Sequence, residues 1–248
     1  MAARLMGTYR DQGIVLRTHR LGETDRIVNL LTQGRGKVRA VAKGVRRPGS
    51  RFGARLEPFS HVDLQLYEGR NLDIVNQAEL IESHTGVRED WVRSAAGSVM
   101  VELVDQVAQE GARDNRLFLL LRAGLQALDA DPHDPSIFVD AFLLRAAAVI
   151  GFATFTEACA SCRRPGDHVF LSVRGGGVLC TDCSPPGTRA VERRVVELVA
   201  LLGAPSQWTA LPTIAREDAR QVASSYVRAF VEHHLDRRLR SYDAVPRP

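Results

Sequence analysis

The chain has no apolar run long enough to cross a bilayer. Its most apolar stretch, around Ala146 to Phe155, falls well short of the roughly 18 residues a spanning helix needs. Met1 to Tyr9 lack the extended apolar core of an export signal, so residence in the cytoplasm is expected. Catalytic signatures are missing as well. No Gly-x-x-x-x-Gly-Lys-Ser/Thr loop, Gly-x-Ser-x-Gly elbow or His-Glu-x-x-His helix occurs. Gly34-Arg35-Gly36 lacks the third glycine and following helix of a dinucleotide fingerprint and reads as a hairpin turn. Glu23-Thr24-Asp25 has the look of an acid pair, but its place in a turn suits capping or an ion pair with Arg26. An enzyme is therefore not expected. Aromatic residues make up only 6%, so base-stacking platforms are thin. Tyr9, Phe52, Phe59 and Tyr67 are the choices in the N-terminal part, and each suits packing better.

Cysteine is equally scarce, and all of it is grouped: Cys159 and Cys162, then Cys180 and Cys183. Two Cys-x-x-Cys pairs at this separation have the spacing of a four-thiolate zinc site, in which every coordination position is filled by protein and the metal braces structure. A disulfide framework belongs to small secreted domains. A thioredoxin-like pair needs one Cys-x-x-Cys beside a strand–helix–strand unit. A zinc deaminase needs a His-x-Glu element and Pro before Cys, whereas Ala158 and Leu179 stand before these pairs. Structural zinc is the expectation, with a metal-free relic of such a site as the alternative. His168, inside the intervening segment, reads as a loop residue and not as a substitute ligand.

Charge is abundant but uneven. Residues 1–55 carry 13 basic groups against three acidic ones, a balance of +10 that leaves −6 for the remainder, given +4 overall. A basic end on a mildly acidic body implies an anionic partner. No basic amphipathic helix appears there, so nucleic acid is expected and not membrane. Candidate contacts are Arg17, Arg20, Arg26, Arg35, Lys37, Arg39, Lys43, Arg46, Arg47, Arg51 and Arg55. The bland reading of such a run is a solvated charged face.

Periodicity divides the chain. Up to residue 83 the pattern is β: Gly13 to Thr18, Arg26 to Thr32, Lys37 to Lys43, His61 to Tyr67 and Leu72 to Ile81. In the third run Val38, Ala40 and Ala42 fall on one side, and Lys37, Arg39 and Lys43 on the other. Gly44 to Ala54 reads as a long mobile loop. Five short strands in some 80 residues suit a small closed barrel, and pattern alone leaves OB-type and SH3-like barrels open. From Arg88 the period becomes helical, with Trp91, Ala95, Val99, Leu103 and Val107 on one stripe. Helices are expected over Leu117 to Leu128, Ile137 to Ile150, Arg189 to Leu202 and Arg216 to Leu239. Between them a hairpin turns at Gly175-Gly176-Gly177. His233 and His234 read as surface residues, and the tail from Ser241 as frayed.

Several segments carry a resemblance. They are Gly13-Ile14-Val15-Leu16, Gly22-Glu23-Thr24-Asp25-Arg26-Ile27-Val28, Leu31-Thr32 and Gly36-Lys37. Ala42-Lys43-Gly44-Val45-Arg46-Arg47, Ser50-Arg51 and Leu56-Glu57-Pro58-Phe59 follow. In the second half come Leu144-Arg145, Gly151-Phe152 and the cysteine pairs bracketing a Gly-rich hairpin. In this order and spacing, over nearly the whole chain, the sequence resembles the RecO family of bacterial DNA repair and recombination mediators. The resemblance implies an α+β protein: a five-stranded OB-fold barrel at residues 1–83, then an all-α domain at 84–248 with an inserted zinc finger at 157–187. It further implies binding of single- and double-stranded DNA and annealing of complementary strands in the RecF pathway of homologous recombination. Contacts with RecR and with the C-terminal tail of single-stranded DNA-binding protein are implied too, so that RecA is loaded indirectly at the nucleoid. The competing reading is a zinc-containing OB-fold adaptor acting on RNA, which presents the same phosphates.

Overall fold

The computed structural model describes residues 7–50, 52–130, 134–205, 208, 211 and 217–246. Five strands close a barrel in the order β1-β2-β3-β5-β4: β1 Thr8–Leu21, β2 Asp25–Thr32, β3 Gly36–Ala42, β4 His61–Tyr67 and β5 Asp73–Glu82. All neighbours are antiparallel except β3 and β5, which meet in parallel at Ala40↔Asp73 and Val41↔Ile74. This is the expected OB topology. Closure depends on the length of β1. Its first half pairs with β4 from Thr8↔Tyr67 to Ile14↔His61, and its second half pairs with β2. The register slips between Val15 and Arg17, where a bulge bends the strand from one neighbour to the other. Sequence pattern captured only the apolar middle of this strand, because its polar ends carry no alternation.

The inner faces follow the period of two. Val38, Ala40 and Ala42 from β3 and Val62, Leu64 and Leu66 from β4 are buried together with Val15, Val28, Leu30 and Val75. Phe52 and Leu56 join this core at 1% exposure each. That corrects the expectation of a mobile loop and meets the expectation that Phe52 packs. The end of the basic loop is anchored by a short 3-10 turn at Gly53–Leu56, and Phe52 is a core residue that no base can stack on. Phe59 is buried as well.

Contacts group the chain into two compact units. One holds the residues up to Trp91 together with Val101–Asp129, the other Val92–Met100 and everything from Ala130. The barrel unit thus includes α1 (Thr85–Glu89), the second half of α2 (Trp91–Val107) and α3 (Asn115–Asp129). Trp91, placed on the buried stripe by its spacing, is 67% exposed. In the other unit α4 (Pro135–Val149) is apolar nearly all round and buried, as a central helix must be. It starts on the Asp134 side chain, which accepts from the Ser136 N–H at 3.0 Å. Around it pack α5 (Arg193–Gly203) and α6 (Glu217–Leu235). Buried Arg145 donates from Nε to the Leu202 carbonyl at 3.1 Å, tying α4 to the end of α5.

The expected fraying from Ser241 does not hold for the described residues. A 3-10 turn at Arg240–Ala244 presents Tyr242, whose hydroxyl donates to Asp140 at 2.9 Å. Asp140 is fully buried, and burial pushes its carboxyl up to about 6 against the pull of Arg220. His234 is not a free surface residue either. Its ring packs 4.4 Å from Phe230, and Nε2 lies 2.9 Å from the Val173 carbonyl.

The barrel unit holds a buried histidine pair. His61, edge-on to Phe118, has Nδ1 3.2 Å from Glu82, and His84 lies between Glu82 and Asp129 at 3.7 Å from each. Burial lowers both imidazoles below their ordinary value, outweighing Glu82 and Asp129, and Arg122 adds to the effect at His61. The unfolded chain therefore binds more protons than the folded one below about pH 6.5, so stability is present above that pH and is lost as pH falls. Amide exchange in β4 should accelerate between about pH 7.5 and 5.5, after correction for intrinsic rates. His84→Asn should flatten the trend, because Asn tolerates the left-handed backbone at this position (φ 46°). Equal protection at both pH values would refute the assignment.

Candidate nucleic-acid interface and metal centre

The basic residues sort by what the fold places beside them. Arg26 Nη1 is 2.8 Å from Glu57, and Arg35 is 3.4 Å from Glu68 with its guanidinium 3.8 Å above the Tyr9 ring. Lys37 Nζ reaches both the Asp105 carboxylate at 2.7 Å and its carbonyl at 2.6 Å. Arg17 stands 4.0 Å from the same carboxylate. Arg55 is exposed within the 3-10 turn. Arg51 lies outside the described residues. Arg20, Arg39, Lys43, Arg46 and Arg47 are exposed, and none of them is ion-paired to a described carboxylate.

Four of these five converge. Strand register sets Arg20 opposite Arg26, and Arg26 opposite Ala42, next to Lys43. The following turn is laced to the β1–β2 turn. Arg46 N–H donates to the Thr24 carbonyl at 2.9 Å, and Arg46 Nη1 to the Glu23 carbonyl at 2.8 Å. The Asp25 carboxylate accepts from the Gly44 N–H at 2.8 Å and from the Thr24 hydroxyl at 2.9 Å. These bonds, then the charges of Arg47 and Lys43, hold its pKa below the ordinary value. Asp25 thus caps the turn as expected, whereas Arg26 takes Glu57 as its partner. The result is a knot of two turns carrying Arg20, Lys43, Arg46 and Arg47 outward, with Glu23 and Asp25 as the nearby acids. Such a surface neutralises phosphates without reading bases.

Arg39 belongs elsewhere, to a polar cleft of about 330 Å³. Its walls are Tyr9 and Arg35, the β3 residues Lys37 to Arg39, and the turn from Gly69 to Asp73, with Glu110 at the rim. In the sequence Glu68-Gly69-Arg70-Asn71 reads only as a turn, because the charge excess ends before it. A basic turn residue between two alternating strands was the available signal.

The cysteines behave as their spacing predicts. A short hairpin, β6 Phe170–Ser172 and β7 Gly177–Leu179, folds the second pair onto the first. All four sulfurs lie within 4.8 Å of one another, a set compatible with structural zinc. Cys159 is fully buried, and the backbone N–H of Cys180 donates to its sulfur at 3.3 Å. Burial raises the Cys159 thiol, but N–H groups of Cys162, Cys180 and Ser161 outweigh it and bring the value down to about 6. Cys183 is pushed up to about 12, chiefly by sharing a proton with Cys180. Four thiolates this close repel one another unless a cation sits among them. His168 is not part of this set; its Nε2 lies 2.9 Å from the Arg164 carbonyl.

No helix among the described residues is long and apolar enough to cross a membrane. Residues 6–84 match the family model for the recombination protein O N terminal, and residues 88–243 that for its C terminal. A protein of a Nocardioides species, named DNA repair protein RecO, is 48% identical over 96% of this chain and 99% of its own. Proteins of the same name from Frankia casuarinae and Thermobifida fusca are each 45% identical, over 98% of this chain and all of theirs.

Proposed function

Because the chain belongs to the RecO family of DNA repair proteins, we propose that it acts without catalysis as a recombination mediator. In this reading it binds single- and double-stranded DNA, anneals complementary strands and, with RecR, helps load RecA onto strands coated by single-stranded DNA-binding protein. Residues 1–83 make the DNA contact and 84–248 form the body, which meets the protein partners, among them the C-terminal tail of single-stranded DNA-binding protein. Zinc on Cys159, Cys162, Cys180 and Cys183 braces the finger at 157–187. The protein works in the cytoplasm, at the nucleoid.

The observation that carries the reading is the knot of Arg20, Lys43, Arg46 and Arg47 on two mutually bonded turns. Annealing brings two polyanions together, and a fixed cluster of cations lowers their repulsion by displacing counterions. No bond is broken, so no acid, base or nucleophile is required. The test is the double variant Arg46→Ala/Arg47→Ala, with Arg51 replaced in a third step. Binding to single strands should weaken, and the slope of log affinity against log salt should flatten by about 0.7 for each phosphate no longer neutralised. Annealing of strands coated with the cognate single-stranded DNA-binding protein should slow in parallel. Unchanged slopes in a folded variant would remove the turns from the interface. Preferential capture of RNA in a matched competition would favour the RNA adaptor instead.

A further inference from the structure

The four cysteines differ in their access to solvent. Cys159 and Cys180 lie inside the finger, at 0% and 3% exposure, whereas Cys183 is half-buried and Cys162 is exposed. The backbone explains the difference. The first knuckle is a closed loop, in which the Cys159 N–H donates to the Arg164 carbonyl and the Arg163 N–H to the Cys159 carbonyl, each at 2.9 Å. Arg163 takes the left-handed conformation (φ 61°) that so tight a return needs. Its guanidinium packs 4.0 Å from the centre of the Phe155 ring. The Ala160 N–H donates to the Val178 carbonyl at 2.7 Å, which seats the base of the loop on β7. Cys159 therefore sits at the base and Cys162 at the crown. Between the knuckles the Cys162 sulfur stands 3.7 Å from that of Cys180. The Cys159 sulfur is also within 4.8 Å, but it is shut off from solvent and accepts the Cys180 N–H at 3.3 Å. A hydrogen bond to sulfur engages the electrons that a nucleophile must use, so Cys159 is the poorer partner for a new bond.

We propose that Cys162 is an oxidation site for peroxide, and that its oxidation joins it to Cys180 and unfastens the finger. The inference rests on the structural-zinc reading above. In the loaded finger each sulfur is held as the thiolate, the nucleophilic form. The Cys162 sulfur attacks one oxygen of hydrogen peroxide; the O–O bond breaks, hydroxide leaves and the sulfur becomes a sulfenic acid. The Cys180 thiolate then attacks that sulfur, forming the S–S bond and expelling a second hydroxide. Each sulfur has given up one electron, peroxide has taken both, and the two hydroxides collect protons from solvent as water. The sulfurs close from 3.7 Å to about 2.05 Å, a movement the exposed crown can make. A disulfide offers no thiolate, and the two sulfurs left over do not fill a tetrahedral site. The brace is thereby lost, and reduction brings it back.

The experiment treats the zinc-loaded full-length protein with hydrogen peroxide, follows released zinc with a metallochromic indicator and maps the cysteines by alkylation and peptide mass spectrometry. Zinc should leave in step with disulfide formation, with Cys162 joined to Cys180 as the first cross-linked pair. A dithiol with added zinc should restore the loaded finger. Cys162→His supplies a second measurement. Three cysteines and one histidine still make a zinc site, so the variant should keep its metal and its melting temperature. Release by peroxide should slow by about tenfold or more, because the accessible sulfur is gone. If the variant does not load, the disulfide mapped in the parent decides alone. Cys159 or Cys183 as the first residue oxidised, a first disulfide without Cys180, or release from a loaded Cys162→His at the parent's rate would overturn the proposal. A parent that keeps its zinc at peroxide levels that oxidise a free thiol would overturn it too, and leave the zinc brace standing. A parent that binds no zinc would remove the brace and the oxidation site together.

Discussion

A protein carrying Cys180→Ser is expected to retain far less than one zinc per chain and to lose several kcal/mol of stability. The loss should fall on the unit that contains the finger. The parent should hold one ion, released by a strong chelator with the same destabilisation. Two features make the effect large. Cys180 is nearly fully buried, and its N–H bonds the sulfur of Cys159, so the two knuckles share this residue. Structural zinc contributes about 10–16 kcal/mol of apparent binding energy in small finger peptides, comparable with the roughly 5–15 kcal/mol that holds a whole domain folded. A serine hydroxyl does not ionise near neutral pH and cannot replace the fourth thiolate. Metal analysis and hydrogen exchange along the finger and β2 provide the check. Full stability with loss of DNA binding alone would show that the ion serves the nucleic acid and not the fold.

Gly36→Ala should cost the barrel unit about 3 kcal/mol or more, a large effect for one added methyl group. The residue has φ +70°, which costs an alanine about 1–2 kcal/mol. The added carbon would also stand 2.1 Å from the Ala112 carbonyl oxygen and 2.9 Å from that of Gln109. Neither atom belongs to a flexible side chain, so β3 or the turn at residues 109–112 must shift, at the cost typical of overpacking. Gly22→Ala is the control, with φ +60° and nothing within 4 Å of the new carbon. It should lose only the backbone penalty. Urea midpoints of the two variants separate strain from collision; equal losses would mean that the turn yields freely. Gly36→Ala should also break the Lys37 N–H bond to the Gln109 carbonyl, now 3.1 Å, and loosen the hold of Asp105 on the Lys37 ammonium.

Much of the fold was readable from residues alone, and the exceptions share a cause. The alternation of Val38, Ala40 and Ala42 found the buried face of β3, and the spacing of the cysteines found the cluster, because both signals are local. The loop at 44–54 read as mobile since its Gly, Pro and Arg content hides the two anchors that seat it, Phe52 and Leu56. Helix α1 escaped because five residues complete scarcely more than one turn of any period. Which cations stay unneutralised was beyond local reading. Lys37 finds its acid 68 residues away, Arg35 33 away, and Tyr242 reaches Asp140 across 102 residues. Partners at such separations leave no trace in charge counts, so a run of thirteen cations looked uniform although its members are not equivalent.

The grouping of Val101–Asp129 with the barrel has a practical corollary for anyone dissecting this protein. Excision after residue 84 would strip the N-terminal fragment of Phe118 against His61 and of Asp105 against Lys37. A lysine freed from its carboxylate would then add a cation that the whole molecule never offers, and a short fragment would overstate the grip on nucleic acid. Fragments meant to report on the native surface should run through Asp129.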